Sequence, residues 1–162
     1  MKGDPRVIEL LNEALKAELT AINQYWLHYR LLENWGILKL AAYERHESID
    51  EMKHADRFAE RILFLDGLPN FQALGRLRIG ENVEEILRAD LDAEYEAVNM
   101  YREAIVHCES VRDFATRDLF AEVLRDEEGH VDFLETQFEL IKQMGLPNYI
   151  QLQSEPAGNG AD

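Results

Sequence analysis

The second half of this chain repeats residues of the first half at a constant offset of 76 positions, as from Leu11 to Leu87. Many of the repeated residues are spaced by three, four or seven positions, which places them on one face of an α-helix. The matched pairs are Leu11 and Leu87, Leu15 and Leu91, Glu18 and Glu94, Ala21 and Ala97, Asn23 and Asn99, Tyr25 and Tyr101, Asp50 and Asp126, Glu51 and Glu127, His54 and His130, and Asp56 and Asp132. The sequence therefore predicts two similar helical hairpins joined in one chain.

Helix boundaries follow from apolar periodicity and from residues that cap or stop a helix, and no stretch alternates as a strand would. The expected bounds are Asp4-Pro5 to Asn34-Trp35-Gly36, about 38 to 65, Asn82 to Ser110, Ser110 (as a cap) to Met144-Gly145, then a break at 145–148 and a short turn at 149–152. These bounds predict four long helices and one short one.

The segment from about 66 to 81 is too long for a simple hairpin loop. Fully extended, it would reach about 50 Å, which is the length of a bundle of about 30-residue helices. We therefore expect an all-α, four-helix bundle with one long crossover and a short fifth helix. Residues 1–155 are expected to form this single domain, and residues 156–162 a disordered tail.

The net charge of −15 argues against a nucleic-acid surface, which requires a basic patch, and is compatible with handling cations. Cys108 is the single cysteine, so no intramolecular disulfide can form, and a small buried residue is the simplest interpretation of it. No apolar run approaches the roughly 20 residues of a membrane span, and the N-terminus lacks an apolar signal region. We expect a cytoplasmic protein that contacts neither membrane nor nucleic acid.

Four glutamates lie in the middle of apolar helix faces, and two of them are followed three positions later by a histidine on the same face. In an antiparallel hairpin, two residues lie level when their midpoint is the turn, and this holds for the glutamates of each hairpin. The six side chains expected to converge are Glu18, Glu51, His54, Glu94, Glu127 and His130.

Burying four ionised carboxylates without partners costs several kcal/mol each, so the cluster requires cations. A single glutamate on an apolar stripe is more often an edge residue or part of an ion pair, but two matching sets at one height argue against that interpretation. Two metal ions bridged by carboxylates would balance the charge. Oxygen-rich ligation with one histidine per metal favours iron or manganese over a sulfur-rich zinc site.

Across nearly its whole length the chain resembles the bacterioferritins, with Asp50-Glu51-Met52-Lys53-His54-Ala55-Asp56 matching their second-helix motif and Asp126-Glu127-Glu128-Gly129-His130 their fourth. The resemblance implies a ferritin-like fold and a ferroxidase centre of two irons, held by the six residues above, with Glu51 and Glu127 bridging. It implies a homo-oligomer of twenty-four subunits, built from two-fold dimers, that stores ferric mineral. It also implies a b-type haem shared between two subunits, with Met52 of each as axial ligand, and a small ferredoxin as electron donor.

The resemblance also suggests roles for some residues outside these six ligands. Tyr25 resembles a tyrosine beside the family's metal site, whereas core packing explains Tyr101 equally well. His46 and Asp50 resemble an inner-surface iron site, although a solvated polar face is about as good an explanation. Asn148 and Gln151 resemble pore-lining residues, and His28 and His107 have no partner identifiable from the sequence.

The predicted function is therefore iron storage with oxidation of Fe(II) to Fe(III) by dioxygen or peroxide. Two alternatives use a similar bundle: a di-metal peroxidase or manganese catalase, and a haem electron-transfer bundle. The segment after Pro147 and the methionine beside Glu51 are not expected in the first alternative, and buried carboxylates are not needed in the second.

Overall fold

The computed structural model describes residues 1–154, and within them all regular structure is helical. The helices are α1 (Pro5–Asn34), α2 (Leu38–Phe64), α3 (Val83–Ser110), α4 (Phe114–Met144) and α5 (Leu146–Gln153). The predicted all-α bundle with one long crossover and a short fifth helix is confirmed. The domain end predicted at residue 155 and the tail predicted over residues 156–162 lie outside the described residues.

The crossover between α2 and α3 runs along α1 in the same direction as that helix. Its backbone N–H groups donate in turn to α1 side chains: Asn70 to Asn12 (2.8 Å), Gly75 to Thr20 (2.8 Å) and Gly80 to His28 (3.0 Å). It therefore begins beside the first residues of α1 and ends beside its last turns. As a consequence α3 is antiparallel to α1, and the crossover joins the two hairpins that the sequence repeat predicted.

The caps of α1 and α3 are those that the sequence predicts. Asp4 accepts a hydrogen bond from the Val7 N–H (3.0 Å), and Asn82 accepts one from the Glu85 N–H (3.0 Å). Each bond satisfies one of the amide groups that a helix start leaves without a partner. Gly36, at φ +80°, allows the left-handed turn that separates α1 from α2.

The predicted cap of α4 is wrong. Ser110 is the last residue of α3, and its hydroxyl donates back to the carbonyl of His107 (2.7 Å). The cap is Asp113, which directly precedes the helix and accepts from the Thr116 N–H (3.0 Å). A capping side chain reaches only the next two or three amides, so a residue separated from the helix by the turn at 111–112 cannot serve.

The short fifth helix also begins earlier than predicted. The break is confined to Gly145, at φ +81°, and α5 starts at Leu146. Pro147 lies in the first turn of α5, where a helix needs no N–H from it, so the proline does not interrupt the helix.

Two apolar clusters fill the bundle on either side of a polar middle layer. The first packs around the α1 start and the second around its end, next to α5. Buried members of the first include Val7, Leu11, Phe58 and Phe120, and of the second Leu32, Leu40, Leu87 and Leu134. The side chains between these clusters form the candidate functional site.

Candidate metal centre

The structure brings together all six side chains that the sequence predicted to converge. They form two overlapping groups in which one nitrogen or oxygen atom per residue lies within 4.8 Å of the others. One group is Glu18, Glu51, His54 and Glu127, and the other is Glu51, Glu94, Glu127 and His130. Glu51 and Glu127 belong to both, which is the arrangement expected of bridging ligands.

The first group surrounds the Nδ1 atom of His54. That nitrogen lies 3.2 Å from Glu51 Oε2, 3.3 Å from Glu127 Oε1 and 3.7 Å from Glu18 Oε2. His54 follows Glu51 by three positions in α2, so one helix turn places both side chains on the bundle axis. Three carboxylate oxygens and one imidazole nitrogen therefore face one position.

The second group surrounds the Nδ1 atom of His130 in the same way. Its distances are 2.9 Å to Glu127 Oε2, 3.2 Å to Glu51 Oε1 and 3.4 Å to Glu94 Oε1. The two central glutamates thus use opposite oxygens in the two groups. Glu51 directs Oε2 toward His54 and Oε1 toward His130, and Glu127 does the same with Oε1 and Oε2.

Several of these buried atoms lack hydrogen bonds although other polar atoms are close. Glu51 Oε1, Glu127 Oε2 and His130 Nδ1 have no hydrogen-bond partner within residues 1–154. Glu127 Oε2 and His130 Nδ1 are 2.9 Å apart without the angle of a hydrogen bond. Unsatisfied lone pairs that point at a common position are what a metal cation would satisfy, so the residues fit a pair of metal ions.

The pKa values reflect the crowding of carboxylates. Burial, together with the charges of Glu127 and Glu18, raises the pKa of Glu51 well above its usual range. Burial and the charges of Glu94 and Glu18 raise the pKa of Glu127 to about 8. Burial opposes ionisation of Glu18 too, but hydrogen bonds with Glu51 and His54 leave its pKa below the usual value. Without metal, the centre therefore retains protons near neutral pH.

Two tyrosines donate hydrogen bonds to the outer glutamates in a symmetric pattern. The Tyr25 hydroxyl donates to Glu94, and the Tyr101 hydroxyl donates to Glu18. Both tyrosines are fully buried. Tyr25 was expected to lie beside the metal site, and Tyr101 lies there in the equivalent position. For Tyr101 the sequence alone had not distinguished this position from core packing.

Each histidine also has a carboxylate at its second ring nitrogen. His54 Nε2 lies 3.1 Å from Asp126 Oδ2, and His130 Nε2 lies 2.6 Å from Glu47 Oε2. The Asp126 contact is a hydrogen bond that fixes the ring of His54, whereas Glu47 Oε2 lies beside His130 without the angle of a hydrogen bond; both leave Nδ1 for a metal. Sequence analysis missed both roles. For Glu47 a signal existed, because it lies one turn before Glu51 on the same face of α2.

Two openings lead toward the centre. A groove between α1, the crossover and α3 reaches Glu18, Glu51, Glu94 and Glu127. A second opening, between α2 and α4, is lined by His54, His130, Asp50 and Asp126. The centre is therefore approached by one opening on each of two faces of the bundle.

The surface around Met52 is separate from the metal centre. Met52 is 56% exposed and lines a mostly apolar pocket with Trp26, Leu27 and Ile49, at whose rim Arg30 lies. An exposed thioether in an apolar pocket fits a haem ligand at an interface between two copies. It also fits a methionine that fills such an interface.

His46 and Asp50 lie together, with His46 Nδ1 3.3 Å from Asp50 Oδ2 and 3.6 Å from Glu47 Oε1. His46 is largely exposed, whereas Glu47 is buried and also contacts His130. The predicted pair thus gains Glu47 as a third member, and that residue connects the surface with the centre.

Both histidines without an expected partner have one. His28 contacts Asp90 in the bundle interior, and His107 lies 3.3 Å from Asp4 near the start of α1. Asn148 and Gln151 are exposed on α5, and their expected role at a pore stays a prediction. None of the helices between residues 1 and 154 has a stretch long and apolar enough to cross a membrane.

Comparison with known proteins gives one consistent result. A family model described as a ferritin-like domain matches residues 8–144. A bacterioferritin of Brucella melitensis is 54% identical over 157 residues, which cover 97% of this chain and 98% of that protein. Bacterioferritins of Rhodobacter capsulatus (52% identical, covering 96% of this chain and 97% of that protein) and Mycobacterium tuberculosis strain H37Rv (50%, covering 92% and 94%) are also similar. This chain therefore belongs to the ferritin-like family and, within it, to the bacterioferritins.

Proposed function

We propose that this protein stores iron and oxidises Fe(II) to Fe(III) at the centre formed by Glu18, Glu51, His54, Glu94, Glu127 and His130. Membership in the ferritin-like family supports iron storage. The observation that carries the proposed oxidation is that Glu51 and Glu127 each direct one oxygen to each histidine. Two adjacent ferrous ions can therefore be bound with shared ligands.

The ferrous ions are the substrates, and the residues bind and orient them. Each ion would meet three carboxylate oxygens and one imidazole nitrogen, a ligand set that suits iron. Two ions held side by side can together supply two electrons to dioxygen or peroxide, which avoids difficult one-electron steps. Tyr25 and Tyr101 orient the outer glutamates, and Asp126 orients the ring of His54.

After oxidation, the ferric iron would move from the centre to the inside of the assembly. Ferric iron would leave through the opening beside His54 and His130, where His46, Glu47 and Asp50 offer an inner-surface iron site. The mineral would accumulate inside a hollow shell of twenty-four copies built from two-fold dimers. We place this protein in the cytoplasm.

For release of iron we propose a b-type haem between two copies, with Met52 of each subunit as its axial ligand. Trp26, Leu27 and Ile49 would contact its apolar faces. If held by the thioethers of both copies, such a haem would supply electron transfer. A small ferredoxin is the proposed electron donor.

Alanine substitution of Glu18 or of Glu94 tests the oxidation. Each variant removes an outer ligand from one group, so the fast initial phase of ferrous oxidation should be lost. Glu103→Ala, an exposed position on α3, should retain the wild-type rate. Wild-type rates in both ligand variants would show that the assignment of the centre is wrong. Wild-type protein that consumes peroxide when loaded with manganese, but not when loaded with iron, would favour the catalase-like alternative.

A further inference from the structure

A second cluster of buried polar side chains lies at the α5 end of the bundle, outside the metal centre. Its members are His28 of α1, Glu44 of α2 and Asp90 of α3, and all three are 0% exposed. One nitrogen or oxygen atom of each lies within 4.8 Å of the others. Neither the proposed oxidation nor the proposed haem uses these residues.

The backbone fixes the protonation of His28. The Gly80 N–H donates to His28 Nε2 (3.0 Å), so that nitrogen carries no proton. In a neutral imidazole the proton then lies on Nδ1, which is 2.9 Å from Asp90 Oδ1 and 3.1 Å from Oδ2. His28 is therefore a neutral donor to Asp90, and both its ring nitrogens are occupied. It neither balances a negative charge nor has a nitrogen available for a metal.

The hydrogen bonds distinguish the two carboxyl groups. Asp90 also accepts from Gln24 Nε2 (2.9 Å), so it has the donors that an ionised carboxylate needs. Neither oxygen of Glu44 has a hydrogen-bond partner within the described part of the chain. A buried carboxylate without donors is strongly disfavoured, whereas a carboxylic acid can donate its own proton to a neighbouring carboxylate.

The internal repeat shows that the fold does not require this cluster. At the equivalent positions of the other repeat half, Ala104 replaces His28, Phe120 replaces Glu44 and Ala14 replaces Asp90. All three of these are buried members of the first apolar cluster. The same positions of one bundle are thus apolar beside Tyr101 and polar beside Tyr25.

The cluster adjoins one half of the metal centre. Asp90 precedes Glu94 by one turn of α3, and Gln24 and His28 flank Tyr25 on α1. Gln24 and His28 also accept from the backbone N–H groups of Arg78 (3.0 Å) and Gly80. The cluster therefore connects α1, α2, α3 and the crossover at the level where Tyr25 donates to Glu94.

We propose that Glu44 is a neutral acid that donates its proton in a hydrogen bond to Asp90, and that this bond positions the Tyr25–Glu94 half of the metal centre. Glu44 is a positioning residue and does not touch the substrate iron. The positioning role rests on the proposed function, whereas the neutral state of Glu44 does not. The apolar Ala14, Ala104 and Phe120 pack the other half, which the Glu44–Asp90 hydrogen bond does not reach.

Two variants, Glu44→Gln and Glu44→Leu, test separately whether Glu44 is protonated and whether its hydrogen bond to Asp90 positions the metal centre. Glutamine keeps a donor to Asp90 but no carboxyl proton, and leucine has a similar size and no donor. With the metal-free full-length protein, the infrared carbonyl band of a protonated carboxyl group should lose one component in both variants. In Co(II) titrations the glutamine variant should bind both ions as the wild type does. The leucine variant should bind one of its two ions on the order of tenfold more weakly, and the other unchanged.

Other outcomes would overturn the proposal. An infrared band that is unchanged in Glu44→Gln would mean that Glu44 is ionised. A third Co(II) per subunit that Glu44→Gln abolishes would mean that the cluster is a metal site. If Glu44→Leu does not fold, a triple variant with the apolar residues of the other repeat half (His28→Ala, Glu44→Phe, Asp90→Ala) replaces it. Two wild-type Co(II) affinities in that variant would refute the positioning role. Failure of the proposed oxidation alone would leave the infrared result intact.

Discussion

Each glutamate of the candidate centre is a carboxyl group that the fold has removed from water. Glu18, Glu51, Glu94 and Glu127 are all at most 3% exposed. Their burial is unfavourable in the metal-free protein and becomes favourable when cations bind, because attraction between opposite charges is strong in a medium that excludes water. Repulsion between the buried carboxylates therefore contributes to the metal affinity, because cations remove it. When metal is absent, protonation of the carboxylates reduces this repulsion.

Metal binding should therefore release protons. The pKa of Glu127 is raised to about 8 and that of Glu51 is also raised, so both hold protons in the metal-free protein at about pH 7. Two metal ions displace them, and the apparent affinity should increase with pH. Calorimetric titrations in two buffers with different ionisation enthalpies measure this release. Equal heats in the two buffers would contradict it.

The same groups predict how stability depends on pH. The folded protein binds the Glu127 proton more tightly than the unfolded chain does, whose glutamate has the ordinary pKa of 4.5. The free energy of unfolding of the metal-free protein should therefore fall as pH rises from that value to about 8. The raised pKa values of His54 and His130 act in the same direction above pH 6.5, because the folded protein keeps these protons where the unfolded chain releases them. Metal-loaded protein, in which the carboxylates are already ionised, serves as the control and should show a smaller fall in melting temperature.

At the scale of helices, periodicity and capping residues predicted the five helices and most of their ends. A stripe of apolar residues identifies the buried face of a helix, and Glu18 or Glu51 on that stripe identifies a buried carboxylate. The stripe does not identify which neighbouring helix the face meets. Glu44 and Glu47 lie on the same face as Glu51, but their partners Asp90 and His130 lie on other helices. Their roles therefore required the structure.

The sequence predicted Ser110 as the cap of α4, but Asp113 is an equally good capping residue by type. Asp113 accepts from the Thr116 N–H and also lies 3.1 Å from Arg61 of α2. Asp113→Ala should therefore lower the free energy of unfolding by about 1–2 kcal/mol. Ser110→Ala, three positions earlier, should change it by less than about 0.5 kcal/mol. Denaturant unfolding of both variants measures the difference, and equal losses would contradict the assignment of Asp113 as the cap.

At the scale of the whole molecule, a single chain leaves large apolar side chains uncovered. Leu63 and Phe64 near the end of α2 are 60% and 52% exposed, and Met52 is similarly exposed about three turns earlier in the same helix. The chain also has a net charge of −15, which disfavours indiscriminate association. Apolar patches on a strongly charged surface favour specific contacts between copies.

We therefore predict a large, closed assembly at physiological salt. Light scattering should report a particle of about twenty-four subunits, the assembly that the resemblance to the bacterioferritins implies. Electron microscopy of iron-loaded protein should find mineral inside the particle. A folded monomer or simple dimer under these conditions would remove the storage function while leaving oxidation at the metal centre possible.

Met52→Leu tests whether two copies share a haem. Met52 follows Glu51 by one position and is turned about 100° from the metal face, so its thioether points to the exterior. A two-fold interface would place an identical thioether opposite it, since every residue of such a contact is repeated. Leucine keeps the packing volume and removes the sulfur, so the variant should assemble and oxidise iron as the wild type does.

The variant should purify without haem, should lack the visible spectrum of a six-coordinate low-spin iron, and should release iron slowly on reduction. Leu63→Ala, which removes a comparable exposed side chain from the same helix, should retain the haem spectrum and so controls for general damage to α2. Full haem content with an unchanged spectrum in Met52→Leu would instead mean that Met52 only fills the interface. In that case the haem would be held by other residues, and its ligands would have to be sought elsewhere on the surface.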